Sequence, residues 1–366
     1  MLFYLYIIFV YISGHTTPIL QALQASSGRF RMEQQVLSGS GGLGFDMSVP
    51  KNGYRWWYVD GFSDCGSHGV TLIFFIGTVF SPFYASARKQ GPADPRDFVC
   101  VNAVFYEPKR KHWAMTERQS RDLKTSASSI KIGPSAMSYD GNSLVVTLDE
   151  RSAPFRRPIR GKVVVDIPET TSECYALHTG GEHRWWPIAP TASVHVELDA
   201  PQVSWSGSAY VDTNGGTVPL EQTFDHWHWS RAAIDDRHCR IVYEAHASDG
   251  ETCLMTLFGN ASEGLAAEHS APRRDLNVGP VWRVDRPARS YQGFTLGKTL
   301  EDTPFYTRSH LLDASGNSVM HESLDLGRFS SKWVQRLLPF RMRKILYWLS
   351  DARGLRIAVP FSKSLK

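Results

Sequence analysis

The pattern of apolar and polar positions is that of a β protein. From residue 45 onward, short apolar or alternating runs are cut by Gly, Pro, Asn and Asp, and they predict strands over 54–60, 69–80, 98–106, 113–117, 143–149, 161–167, 193–199, 206–212, 240–246, 252–258, 281–284 and 293–300. A dozen short strands separated by turn signals indicate a sandwich or barrel. In the run 193–199, Val194, Val196 and Leu198 alternate with polar residues, as in a strand with one buried face. Residues 70–80 are apolar almost throughout, which suits a strand buried on both faces. The following Ser81, Pro82, Phe83 and Tyr84 break that strand and place two aromatics in a loop. Asp140-Gly141 and Asn214-Gly215 read as tight turns, so Asp212 is expected near a strand end.

Helical spacing emerges only after residue 320. Met342, Ile345, Leu346 and Leu349 fall on one face of a helix that Pro339 is placed to start, with Arg343, Lys344 and Ser350 elsewhere on the wheel. The resulting division is an N-terminal extension over 1–44, β domains over 45–190 and 191–327, and a basic amphipathic tail over 328–366.

Charge sharpens the view of the tail. Ten of the 40 Lys and Arg lie in 328–366 against the single acidic Asp351, leaving 30 basic and 35 acidic residues in the body. A body at −5 with a tail at +9 argues against nucleic-acid binding and for a tail that meets an anionic membrane surface. A helix docked on the barrel with a solvated basic face is the alternative. The apolar run over residues 2–12 is too short to span a bilayer. Five widely spaced cysteines without a CxxC pair give neither a disulfide framework nor a zinc ribbon, and point to a reducing compartment. Phosphate-cradling, dinucleotide, nucleophile-elbow and HExxH motifs are missing from the sequence, which disfavours nucleotide-dependent and serine-hydrolase chemistry.

Candidate chemistry concentrates between residues 180 and 216, where His183, Trp185, Tyr210 and Asp212 fall in two extended runs. Residues two apart share a strand face, so His183 pairs with Trp185 and Tyr210 with Asp212. Two readings of Asp212 are open. Among aromatic rings its carboxyl stays protonated and can donate a proton. In the second reading it caps the backbone of an Asp-Thr-Asn-Gly-Gly turn. His183 is likewise either a proton-handling group or a hydrogen-bonded strand residue. His226 and His228 alternate with Trp227 and Trp229, and no set of three or four ligands completes a zinc site, so no metal is assigned.

The strings GYRWWYVDGFSDCGSHGVTLIFFIGTVFSPFYASARKQG, HWAMTER, IGPSAM, HRWWPIAP, YVDTNGG, WHWSRA, LEDTPFYTRS and DLGRFSSKWVQRLLPFRM follow one another between Gly53 and Met342. In this series the chain resembles the carotenoid 1,2-hydratases, also called hydroxyneurosporene synthases. The resemblance implies two lipocalin-like β domains and a cofactor-independent lyase. Its reaction would add water across the terminal 1,2 double bond of an acyclic carotenoid such as neurosporene or lycopene. It also implies that Asp212, Tyr210, His183 and Trp185 are catalytic. Asp212 would be the general acid, Tyr210 and Trp185 would stabilise a carbocation, and His183 would position the acid or the incoming water. Trp56, Trp57, Phe83, Tyr84, Trp227 and Trp229 are candidates for the wall of a substrate tunnel, with core packing the competing role for at least half of them. A substrate of this kind resides in the bilayer, so the tail would hold the protein peripherally on the cytoplasmic side of a membrane. A lipocalin-like carrier of an apolar ligand and a lipocalin-like pericyclase are the alternatives.

Overall fold

The computed structural model describes residues 42–340 and 342–344. Two antiparallel sheets dominate it. The strands of the first are β1 (Tyr54–Ser63), β2 (Gly69–Ile76), β3 (Val99–Tyr106), β4 (Lys111–Arg118), β5 (Leu123–Ser126), β6 (Ser129–Ile132), β7 (Ser135–Tyr139), β8 (Ser143–Arg151), β9 (Pro158–Asp166), β10 (Tyr175–Ala176), β11 (His183–Ala200) and β12 (Gln202–Gly216). Their spatial order places β4-β3-β2-β1 beside β12-β11, followed by β9 down to β5. The second sheet contains β13 (Phe224–Ala233), β14 (Cys239–Ala247), β15 (Thr252–Asn260) and β16 (Gly264–Ala267). After a small ribbon of β17 (Arg273–Arg274) and β18 (Ala288–Arg289), it is completed by β19 (Thr295–Asp302), β20 (Tyr306–Leu312) and β21 (Ser318–Asp325).

The first sheet curls on itself, because β1–β3 are apolar on both faces. One face carries Trp57, Val59, Leu72, Phe74, Val101 and Ala103, which share a core with Ile130, Met137, Val146, Val163 and Val194 from the other half of the same sheet. The opposite face, with Trp56, Tyr58, Phe75 and Tyr210, packs against Trp227, Trp229, Tyr243 and Leu324 of the second sheet. A buried ion pair between Asp60 of β1 and Arg231 of β13 joins the two sheets inside this second core. Functional side chains therefore gather at the sheet-to-sheet interface, where each strand contributes every second residue.

Several expectations are met. Val194, Val196 and Leu198 are buried in alternation, β2 is buried along its whole length, and Asp140-Gly141 joins β7 to β8. Others are corrected. Residues 281–284 form no strand; the backbone N–H groups of Val281 and Trp282 are instead drawn to the Asp302 carboxylate. Ser81 does not open a loop, since its hydroxyl caps a helix at Pro82–Arg88. Asn214-Gly215 makes no turn, because β12 runs through it between β1 and β11, whose hydrogen bonds hold it extended. The division at 190/191 lies inside β11, and the passage from one sheet to the other falls between Gly216 and Phe224.

Pro339 sits in a short 3-10 turn, Leu338–Phe340, and Arg343–Lys344 (β22) is extended and pairs in parallel with Thr116 and Glu117 of β4. The edge of β4 offers backbone partners there, so the helix expected from Pro339 does not begin. Ile345, Leu346 and Leu349 lie outside the described residues. Two short helices precede the turn, Leu326–Ser330 and Lys332–Leu337, and they bury Phe329 and Val334. Among the described residues no helix is long and apolar enough to cross a membrane.

Candidate active site

Asp212 lies in β12, four residues before its end at Gly216, paired in register with Tyr58 of β1, and is only 4% exposed. Its Oδ2 accepts hydrogen bonds from the Trp185 indole N–H at 3.0 Å and from the Tyr210 hydroxyl at 3.0 Å. The Asn214 amide approaches Oδ1 at 3.5 Å, and Asn214 in turn accepts from the Tyr243 hydroxyl at 3.1 Å. All of these donors are neutral. Burial pushes the Asp212 carboxyl up to about 8; the bonds from Trp185 and Tyr210 oppose the rise, and the charges of Glu322 and Asp60 add to it. The group is therefore a neutral carboxylic acid at neutral pH. With two donors on Oδ2, Oδ1 is left to carry the proton. The side chain caps no turn, so the turn-cap reading of this aspartate is set aside.

Three of the four expected catalytic residues meet. Trp185 and Tyr210 are fully buried and both bond to Asp212, and the Tyr210 ring packs against Trp229 at 5.3 Å. His183 is held apart from them. Its Nδ1 shares a 2.8 Å hydrogen bond with the Tyr54 hydroxyl, and its Nε2 shares one of 2.8 Å with the Thr223 hydroxyl. Burial lowers its pKa to about 4, so the imidazole is neutral. Both nitrogens are thus engaged, and the bond to Tyr54 braces a ring that stacks on Trp56 at 5.1 Å.

Beside this cluster lies an apolar cavity of about 140 Å³ lined by Trp56, Tyr58, Ile73, Phe75, Trp113 and Trp227, with Phe305, Leu338 and Met342 among its other walls. A dry apolar cavity of roughly 150 Å³ admits a benzene ring, so the space suits the end of a hydrocarbon chain and not its whole length. Asp212 does not line the cavity; Tyr58, which does, is its register partner across the sheet. Of the six tunnel candidates, Trp56 and Trp227 line the cavity, and Trp229 packs beside it against Tyr58 at 5.7 Å. The other three have different places. Trp57 points to the opposite face of β1 and bonds to the Leu43 carbonyl at 2.8 Å. Tyr84 anchors its helix to the Gly53 carbonyl at 2.8 Å and stacks on Phe98 at 4.8 Å. Phe83 lies half-buried on that same helix, away from the cavity lining.

Sequence reasoning passed over Tyr58, Asn214, Tyr243, Arg308 and Glu322. Tyr58 is two residues from Trp56 in a buried strand, a parity signal that was present. Glu322 and Arg308 could be found only through the pairing of β20 with β21, which sets them opposite one another.

His178, Asp249 and Glu251 also approach one another, at the surface and away from this site. Glu251 is already bonded to Thr179 there.

Fold and site together define a lipocalin-like β protein with a neutral buried acid next to an apolar aromatic cavity. The chain belongs to the carotenoid hydratase CrtC family, whose model matches residues 72–350. It is 38% identical over 306 residues to the acyclic carotenoid 1,2-hydratase of Thiocapsa roseopersicina, covering 82% of this chain and 75% of that one. The enzyme of the same name from Rubrivivax gelatinosus is 40% identical over 306 residues, covering 81% and 75%, and that from Cereibacter sphaeroides is 32% identical over 283, covering 76% and 99%. Among solved structures, an AttH-assigned protein from Nitrosomonas europaea superposes with a TM-score of 0.50 at 12% identity, over 74% of this chain and 92% of its own, a likeness of fold alone.

Proposed function

We propose that this hydratase adds water to the terminal 1,2 double bond of an acyclic carotenoid, with Asp212 as the general acid. The neutral Asp212 carboxyl, bonded by Trp185 and Tyr210 beside an apolar cavity, is the observation that carries the reading. Proton transfer from Asp212 to C2 leaves a tertiary cation at C1, the more substituted carbon. In an apolar surround such a cation is best met by π faces, each worth about 2 kcal/mol or more when desolvated. Tyr210, Trp229 and Tyr58 present such faces near the acid. Water then adds at C1 to give the 1-hydroxy product. His183 acts at one remove: through Tyr54 it fixes Trp56, which stacks on Trp227, and both rings line the cavity that takes the chain end.

The substrate enters from a membrane in this reading. Trp333, Leu337 and Phe340 are exposed at 49%, 39% and 83%, and they neighbour Leu338 and Met342 of the cavity wall. Lys332 and Arg336 lie on the same short helix. An apolar patch with basic residues suits the interface of an anionic bilayer. Five unpaired cysteines support a reducing, cytoplasmic side.

Incubation with neurosporene or lycopene in D₂O tests the chemistry. The expected product has gained one water and carries one carbon-bound deuterium at C2. Asp212→Asn is expected to yield neither, and turnover by that variant at the wild-type rate would remove Asp212 from the role of acid.

A further inference from the structure

The acid step leaves a second requirement, because the water that attacks C1 has to be held and has to lose a proton. We infer that Glu322 of β21 is the carboxylate that seats this water in the cavity and takes its proton, so that the site divides the acid and base roles between two carboxyl groups. The inference rests on the assignment of Asp212 as acid.

Glu322 lines the same cavity as Trp56, Tyr58 and Trp227. Its Oε1 accepts from the Tyr58 hydroxyl at 2.8 Å and from the Arg308 Nε at 2.8 Å. Both bonds fall on Oε1, so Oε2 keeps its lone pairs for a ligand. The two carboxyl groups have contrasting surroundings. Asp212 is met only by neutral donors, whereas Glu322 is paired with the Arg308 guanidinium at the edge of a largely apolar space. Arg308 is itself fixed by a 2.8 Å bond to the Tyr106 hydroxyl, and Tyr106 donates to Glu301 at 3.2 Å. The seat is therefore braced from both sheets.

Two further polar groups face the same cavity. The Tyr306 hydroxyl and the Asn102 carboxamide oxygen are buried without a hydrogen-bond partner among the described residues, and both residues line this cavity. A buried water needs two to four polar partners, and these unsatisfied atoms add to Glu322 the polar character such a water requires in a largely apolar lining.

The proton balance closes without another reactant. Asp212 loses its proton to C2, and the pair of electrons of the double bond forms the new C–H bond. Water donates a lone pair to C1, forming the C–O bond. The resulting protonated alcohol is a far stronger acid than any carboxylic acid, so it transfers a proton to Glu322 even though Arg308 holds that carboxylate. Exchange with solvent then returns Glu322 to its anion and Asp212 to its acid.

The test separates protonation from water capture. An acyclic carotene in detergent is incubated in D₂O with the wild-type protein, Glu322→Gln, Glu322→Asp and Asp212→Asn, and both hydrated product and deuterium in recovered carotene are measured by mass. Glutamine keeps the acceptor for Tyr58 but cannot take a proton. Glu322→Gln is expected to lose roughly a hundredfold or more of hydration while recovered carotene still gains deuterium. The cation forms by deuteron transfer from Asp212 and, after rotation at C2, gives up the protium that C2 carried at the start, leaving the deuterium in place. Glu322→Asp is expected to hydrate faster than Glu322→Gln. Hydration by Glu322→Gln within about threefold of wild type overturns the inference, as does loss of deuterium uptake together with hydration in a variant whose melting temperature is unchanged. Should the glutamine variant fail to fold, Glu322→Asp carries the comparison: slowed hydration with retained deuterium uptake supports the role, and unaltered hydration overturns it. Asp212→Asn is expected to show neither signal; deuterium uptake by that variant refutes the acid assignment separately.

Discussion

In the proposed reaction the Asp212 carboxyl sets the alkaline limit of activity. The Asp212 carboxyl is held up to about 8 by burial, so the protonated form that the proposed mechanism uses dominates below that pH and disappears above it. Turnover governed by this group is flat on the acid side and falls about tenfold per pH unit above about 8. The same shift bears on stability with a defined sign. A carboxyl whose folded pKa lies above its unfolded value of about 3.9 contributes stability at low pH, and that contribution is lost as pH rises towards the folded value. Asp212→Asn removes the dependence, so the variant is expected to gain on the wild type by a few kcal/mol between pH 5 and 8. Urea unfolding of both proteins across that interval measures it, and parallel stability curves would show that the carboxyl does not titrate there. At this scale the sequence was partly legible. The two-residue parity placed Tyr210 beside Asp212, and the HRW motif supplied Trp185. Missing was the partner of His183, because Tyr54 lies 129 positions away along the chain.

At the scale of strands, β12 is the element on which the site depends, and its final glycines show why. Gly216 lies opposite His183 on one side and Tyr54 on the other. A Cβ there would stand 2.5 Å from the Tyr54 ring and 2.8 Å from His183 Nδ1. Neither ring can yield without breaking the bond between them, so Gly216→Ala is expected to destabilise the fold by about 1–3 kcal/mol. Displacement of Tyr54 would also move Trp56 and lower turnover, whereas the pH above which activity falls stays in place because Asp212 is untouched. Urea titration and a pH–rate profile of the variant check both parts; an unchanged midpoint would mean that the backbone moves aside at no cost. The sequence marked this stretch as a turn, since Asn-Gly is a strong local hairpin signal. Pairing on both sides overrode it, and local propensity carries no trace of those neighbours. Ser81-Pro82 failed in the other direction: a cap and a proline that begin a helix were read as the end of a strand.

Over the whole molecule, the two sheets leave a buried carboxyl near a largely apolar cavity, the arrangement that the proposed reaction on a water-insoluble substrate requires. The first sheet closes one core on itself and lends its other face to the second sheet, and the cavity lies in that second core near the Lys332–Leu337 helix. The β class and about half of the strands were legible from apolar and alternating runs, but β13, β20 and β21, which carry Trp227, Arg308 and Glu322, were not, and a sheet that curls back to use both faces gives no signal beyond uniformly apolar strands such as β2. Docking belongs to this scale. The segment from Leu326 onward cannot be deleted to test it, because Phe329, Val334, Leu338 and Met342 are built into the core and the cavity wall. Substitution of the exposed residues leaves these in place. Trp333→Ala, Leu337→Ser and Phe340→Ser combined are expected to abolish flotation with anionic liposomes and to slow turnover of carotenoid supplied in liposomes by tenfold or so, about the effect of removing one to two kcal/mol of interfacial binding. Turnover of the same substrate in detergent micelles should stay close to wild type, since the acid and cavity are unchanged. Equal flotation of the triple variant and the wild type would take the membrane contact away from this patch.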